Sequence, residues 1–157
     1  MTMRFAQQVL ASPDATCRFA RALGQRLRAG DVILLEGGIG AGKTHFARCL
    51  IQSLLLVAED VPSPTFTLVQ EYDTEQGDLW HADLYRLTGP DEVVELGLVD
   101  AFETAICLVE WPDRLGDMRP QSALTLRFAD ATDPDSRNLT LTWTVERWNF
   151  LEHEVPA

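Results

Sequence analysis

At 157 residues, with 46% hydrophobic and 24% charged side chains, the chain has the composition of one globular domain with a sizeable core. A formal net charge of −11 argues against unaided binding to nucleic acid, because phosphate neutralisation supplies most of that affinity. No apolar run approaches the roughly 18 residues of a membrane span, and the N-terminus has no continuous apolar stretch of the signal-peptide kind, so no membrane association and a cytoplasmic location are expected.

Residues 3–10 read as a first strand. Ser12-Pro13-Asp14 supplies an N-cap, a proline at the first helical position and an acid in the first turn. The helix is predicted to run through Phe19, Leu23 and Leu27 and to end at Gly30. Val32-Ile33-Leu34-Leu35 is a short apolar run, as in a strand buried on both faces. Phe46 to Leu55 has helical spacing and no breaker. Pro62 and Pro64 make 61–66 a loop, since they forbid helix and central strand. Leu68–Tyr72 and Leu79–Arg86 alternate like strands about a turn at 74–77. A short helix starts within 88–92, Ile106–Val109 is a second buried strand, and Ala123–Phe128 with Leu139–Val145 form a late antiparallel pair. Cys17, Cys49 and Cys107 are widely spaced and odd in number, and read as reduced core thiols rather than a disulfide frame or metal site.

The only lysine is Lys43, inside Gly37-Gly38-Ile39-Gly40-Ala41-Gly42-Lys43-Thr44. That octet fits G-x-x-x-x-G-K-[ST], the phosphate-binding P-loop. The other positive side chains among the 13 Lys and Arg are arginines. A compact ammonium can enter a ring of backbone amides and touch phosphate oxygens, whereas a planar, forked guanidinium cannot. Strand, Gly-rich turn and helix follow in the order the motif needs, so that loop amides and the helix N-terminus face the phosphates. The chain is therefore read as a nucleoside-triphosphate binder. The fold expected is α/β: one P-loop NTPase-like domain over 1–157, with a mixed, mainly parallel central sheet, helices on both faces and late antiparallel strands. A loosely ordered tail is expected from about 149.

Between Leu50 and Asp117, fifteen acids face only Arg86 and Arg114. A triphosphate entering such a neighbourhood needs Mg²⁺. Ile106-Cys107-Leu108-Val109-Glu110 is an apolar strand closing on an acid, the arrangement that delivers a carboxylate beside the metal at the sheet's C-terminal edge. Glu110 is one methylene longer than the usual Asp, and either contact with the metal or polarisation of the attacking water suits it. His81, Asp83 and Tyr85 share one face of a predicted strand, and Asp83 is the second candidate for the metal or the water. Ser63 and Thr65 put two hydroxyls on a stiff loop that can fold over the γ-phosphate as a switch.

Four segments together resemble the bacterial P-loop ATPase family TsaE, also called YjeE: Gly37 to Thr44, Ser63-Pro64-Thr65-Phe66-Thr67, His81-Ala82-Asp83-Leu84-Tyr85-Arg86-Leu87 and Val109-Glu110-Trp111-Pro112. The resemblance spans about Phe5 to Phe128. It implies slow Mg²⁺-dependent ATP hydrolysis in the pathway that places threonylcarbamoyl on the adenosine next to certain tRNA anticodons. It implies two protein partners, TsaD and TsaB, whose complex would stimulate hydrolysis and be reset by it, with tRNA engaged only indirectly. Carried onto this chain, Lys43 would bind the β- and γ-phosphates and Thr44 would hold Mg²⁺. Asp83 and Glu110 would serve Mg²⁺ and the water, Thr65 would sit in the switch loop, and Trp111 would lie near the nucleotide. Two positions depart from the family pattern: Gly38 stands where Asp is usual, and His45 where a second hydroxyl is common. Gly38 loosens the loop, and His45 is expected to add a pH-sensitive phosphate contact.

Three other readings compete. A GTPase would need N-K-x-D, which the single lysine excludes. A small-molecule kinase would need an arginine-bearing lid, for which Arg114 and Arg119 are the nearby candidates. A nucleotide-dependent binding switch without turnover would use the same loop.

Overall fold

The structure, a computed structural model, describes residues 2–152. Seven strands form one sheet in the order β1-β7-β6-β2-β5-β4-β3. In chain order the elements are β1 (Arg4–Leu10), α1 (Pro13–Gly24), β2 (Val32–Glu36), α2 (Lys43–Leu54), β3 (Val69–Thr74), β4 (Gly77–Asp83), α3 (Pro90–Glu95), α4 (Leu98–Thr104), β5 (Ile106–Glu110), β6 (Leu124–Asp130) and β7 (Arg137–Trp143). Two 3-10 segments cover Pro112–Met118 and Glu146–Glu152. The centre is parallel, with β2 between β5 and β6 and β4 beside β5. Antiparallel strands close both sides: β3 on β4, and β7 between β6 and β1. This is the expected α/β class, with the late pair antiparallel.

β2 and β5 are apolar up to a closing glutamate, Glu36 and Glu110, because both faces are covered, as in parallel sheets flanked by helices. Ile33, Leu35, Ile106 and Leu108 join Phe19, Leu23, Phe46 and Leu50 of α1 and α2 in one core cluster. Val32, Leu34, Cys107 and Val109 join Val93, Leu98 and Phe102 of α3 and α4 in the other. Phe46 anchors the first, with ring centroids 5.7 Å from Phe19 and 5.6 Å from Phe128. Burying a side chain of that size contributes roughly 2–3 kcal/mol.

Several boundaries differ from the sequence reading. Ser12 caps α1 as expected, its Oγ accepting from the Ala15 N–H at 3.1 Å. The helix ends at Gly24, however, and not at Gly30. Residues 25–31 instead form turns, in which the Arg28 N–H donates to the Asp31 carboxylate at 2.8 Å and Gly30 turns at φ 93° into β2. β4 stops at Asp83, because its Oδ1 accepts the Tyr85 N–H at 3.0 Å and bends the chain off the sheet. Tyr85 is consequently exposed, and does not continue the face of His81 and Asp83. The stretch after Gly89 holds two short helices, broken at Gly97 with φ 80°. The loose tail expected from about 149 is corrected through Glu152: Trp148 and Leu151 are fully buried, and the Trp143 indole N–H donates to Asn149 at 3.0 Å. Residues 153–157 lie outside the described residues.

The cysteine expectation is also corrected. Cys17 of α1 and Cys49 of α2 are joined in a disulfide, with Cα atoms 5.2 Å apart. The two helices pack side by side, which brings residues 32 positions apart into contact. Cys107 alone stays a buried thiol, its pKa pushed up to about 12 by burial.

Candidate nucleotide-binding site

The P-loop leaves the carboxyl end of β2 and enters α2 at Lys43. Gly37 has φ 142°, and a Cβ there would stand 2.6 Å from the Phe128 carbonyl oxygen. Only glycine fits beside β6 at that point. Gly42 makes the last turn into α2 at φ 105°. Gly38, Ile39 and Gly40 are exposed, while Ala41 is buried.

Lys43 is 4% exposed. Its Nζ donates to the Gly37 carbonyl at 2.6 Å and lies 3.5 Å from the centroid of the Trp111 ring. Burial lowers its pKa, and the nearby charges of Glu110, Asp83 and Asp113 partly offset that. Trp111 holds a left-handed backbone, φ 59°, unusual for a bulky residue. That turn places its ring against both Lys43 and Tyr85, the latter at 4.8 Å between centroids. Backbone strain of this kind costs about 1–3 kcal/mol and persists where the surroundings enforce it.

Next to the lysine, Thr44 Oγ1 donates to Glu110 Oε1 at 2.8 Å. The other carboxylate oxygen, Glu110 Oε2, is 2.7 Å from His81 Nε2. His81 is fully buried and Glu110 is 2% exposed. Parallel pairing of β4 with β5 sets Asp83 opposite Glu110. Asp83 Oδ2 accepts from Thr65 Oγ1 at 3.3 Å, and Thr65 Oγ1 is 2.7 Å from Ser63 Oγ. The proline loop is thus fastened to the end of β4. Its own turn is closed by the Leu68 N–H donating to the Pro64 carbonyl at 2.7 Å. A cleft of about 440 Å³, lined by Gly37, Gly38, Trp111, Asp113 and Arg127 among others, adjoins the loop.

The structure therefore gathers Lys43, Thr44, Asp83, Glu110, Thr65, Ser63 and Trp111 at one edge of the sheet. It takes the His45 side chain elsewhere. His45 Nε2 is 3.1 Å from the Pro13 carbonyl and 3.5 Å from Cys17 Sγ, so the expected imidazole contact with phosphate gives way to contact with α1. Two participants escape the sequence reading. His81 appears there only as sharing a strand face with Asp83 and Tyr85, and its pairing with Glu110 needs the strand register. Arg137 of β7 donates to the Ala41 carbonyl at 3.1 Å and the Gly40 carbonyl at 3.4 Å, propping the P-loop from behind, and no local motif announces it. The lid candidates are engaged locally: Arg119 with Glu36 at 2.9 Å and Thr125 at 3.2 Å, and Arg114 with the Tyr85 carbonyl at 3.4 Å.

A family model described as "Threonylcarbamoyl adenosine biosynthesis protein TsaE" matches residues 10–139. The chain belongs to the TsaE family. It is similar to the "tRNA threonylcarbamoyladenosine biosynthesis protein TsaE" of Rickettsia bellii, with 34% identity covering 90% of this chain and 98% of that protein. The Bacillus subtilis protein of the same description is 36% identical, covering 92% of this chain and 89% of its own length. The crystal structure of Bacillus subtilis YdiB superposes with a TM-score of 0.76 at 30% identity, covering 99% of this chain and 96% of that one. The family's place is tRNA threonylcarbamoyladenosine biosynthesis. No helix among the described residues is long and apolar enough to cross a membrane.

Proposed function

We propose that this TsaE-family member is a Mg²⁺-dependent ATPase of tRNA threonylcarbamoyladenosine biosynthesis, whose slow turnover resets a TsaD–TsaB transferase complex in the cytoplasm. The observation that carries the reading is the direct hydrogen bond between Thr44 and Glu110 at the mouth of the P-loop, with Lys43 in the same cluster. A hydroxyl and a carboxylate 2.8 Å apart are hard oxygen donors, which suit Mg²⁺. Thr44 with Glu110 or Asp83 would hold the ion, and bound Mg²⁺ would neutralise charge on the β- and γ-phosphates.

The remaining roles belong to the chain. Backbone N–H groups of residues 37–44 and the Lys43 ammonium bind and orient the phosphates. Lys43 would exchange its resting contacts with the Gly37 carbonyl and the Trp111 ring for phosphate oxygens. Glu110 accepts a proton from, or orients, the attacking water. His81, itself buried, fixes the carboxylate's rotation through Oε2. Asp83 and Thr65 join the γ-phosphate side to the proline loop, so loss of the γ-phosphate would be felt in that loop. The two loops of the site also expose large apolar side chains, Ile39 at 81% and Phe66 at 83%, which suits docking to a protein partner. tRNA would be engaged only indirectly, through that complex.

The test is Mg²⁺-dependent ATP hydrolysis with and without the TsaD–TsaB pair from the same source. Slow basal turnover that rises sharply with the pair is the expected result. Bound ATP with no turnover in either condition would replace this reading with a passive switch.

A further inference from the structure

We propose that Cys17, His45 and Cys49, with the cysteine pair reduced, form a site for a thiophilic divalent cation of the zinc class. The three side chains lie outside the machinery assigned to ATP, and the proposal does not rest on that assignment. Their donor atoms all lie within 4.8 Å of one another, and each residue is half-buried. His45 and Cys49 are four residues apart on α2, so they share one helix face, and Cys17 meets them from α1.

A disulfide by itself requires no third donor. Here an imidazole nitrogen is present, and His45 Nε2 stands 3.5 Å from Cys17 Sγ and 3.9 Å from Cys49 Sγ. Tetrahedral zinc with Zn–S near 2.3 Å and Zn–N near 2.0 Å needs nitrogen–sulfur edges of about 3.5 Å. Two edges of the coordination polyhedron are therefore already in place. The third, between the sulfurs, opens when the disulfide is reduced and the thiols rotate apart. Two thiolates and one imidazole are a soft donor set that selects zinc over magnesium. The fourth position falls to the Pro13 carbonyl oxygen, which is 3.1 Å from the same Nε2, or to water. Binding releases the two thiol protons to solvent, and His45 gives its Nε2 lone pair.

The experiment uses the full chain, free of nucleotide. A phosphine reductant breaks the S–S bond, the phosphine taking the oxygen of a water molecule to become its oxide and the two sulfurs taking up that water's protons. The reduced chain is titrated with Co²⁺ and then Zn²⁺. We expect thiolate-to-cobalt charge-transfer absorption in the near ultraviolet and tetrahedral d–d bands in the visible. Both should saturate at one equivalent and be bleached by one equivalent of Zn²⁺. His45→Ala should weaken Co²⁺ binding roughly tenfold or more, and a Cys17→Ser, Cys49→Ser double variant should lose the charge-transfer band. A hard Mg²⁺-type site at Thr44 and Glu110 gives no such band. A reduced wild-type chain without it overturns the proposal, whether or not the variants fold. So does a band that persists in the double variant.

Discussion

β2 has a buried charged cluster at each end, and the two are built differently. At its amino end Asp31 is 6% exposed and bonded at both oxygens: Arg147 donates to Oδ1 at 3.1 Å and Oδ2 at 2.8 Å, and the Arg28 N–H adds a third bond. At its carboxyl end the register sets Glu110 opposite Leu35. Glu110 is equally buried, but its described partners are a hydroxyl and an imidazole, with no arginine. A fixed guanidinium fork meets both oxygens of the first carboxylate and neutralises its charge. The second is held in direction while its charge stays available to a cation. The first arrangement ties the segment Glu146–Glu152 to the turn before β2, and the second lies in the candidate nucleotide site. Burial of a carboxylate therefore does not by itself mark function; the identity of its partner does.

Exchanging charge for shape at each end should break that contrast in opposite ways. Glu110→Gln keeps the hydrogen-bonding outline and removes the charge. We expect ATP hydrolysis to fall on the order of 10³-fold with ATP affinity within a few-fold of wild type, as for loss of one group acting in the transition state. Single-turnover hydrolysis beside a binding isotherm separates the two, and full turnover would transfer the catalytic role to Asp83. Lys43→Ala comes next. ATP affinity should drop by about 3 kcal/mol, on the order of 100-fold, because a charge-assisted contact is lost. The fold should survive, since Lys43 is held at a burial cost that its removal relieves. A melting temperature near wild type with calorimetrically absent binding is the expected pair of results.

Arg147→Met tests the other end. Asp31 is left buried without its fork, and the cost should be about 2 kcal/mol, moderated because Arg147 itself is 20% exposed. For a chain of this size that is a fall of about 6 °C in melting temperature. ATP affinity of the folded fraction should not change. A variant that keeps its stability and loses nucleotide binding would erase the distinction between the two ends.

How much of this was legible in the sequence depends on whether the signal was local. Lys43 and Thr44 sit in one octet, and Glu110 closes one apolar run, so their gathering at a sheet edge followed from strand-loop-helix order. The His81–Glu110 pair needed knowledge that β4 lies parallel beside β5 in a particular register. Arg137 and Arg147 come from late elements and act on backbone 96 and 121 residues away, where no spacing rule reaches. The Cys17–Cys49 pair likewise depends on which faces of α1 and α2 meet. The direction of the His45 side chain is set by helix geometry: each helical residue advances roughly 100° around the axis, so the side chain after Thr44 turns toward α1. The end of α1 was missed because Leu23 and Leu27 keep helical spacing across a turn that buries both.

The smallest expected effect lies between the two ends, in the proline loop. Thr65→Val preserves volume and branching but removes the hydroxyl that donates to Asp83 at 3.3 Å and meets Ser63 at 2.7 Å. At 3.3 Å the bond to the carboxylate is long and contributes about 1 kcal/mol, so partner-stimulated turnover should fall roughly fivefold. If the loop responds to the γ-phosphate, the loss should appear in turnover, with ATP affinity retained and melting temperature little changed. If Thr65 only pins the loop through its branched methyl, Thr65→Val should keep wild-type turnover and Thr65→Ser should be the impaired variant, because valine retains that methyl and serine lacks it. Rescue by serine would place Thr65 with the Glu110 cluster. Failure of rescue, with a lowered melting temperature, would place it with Asp31 and Arg147 as a part of the scaffold.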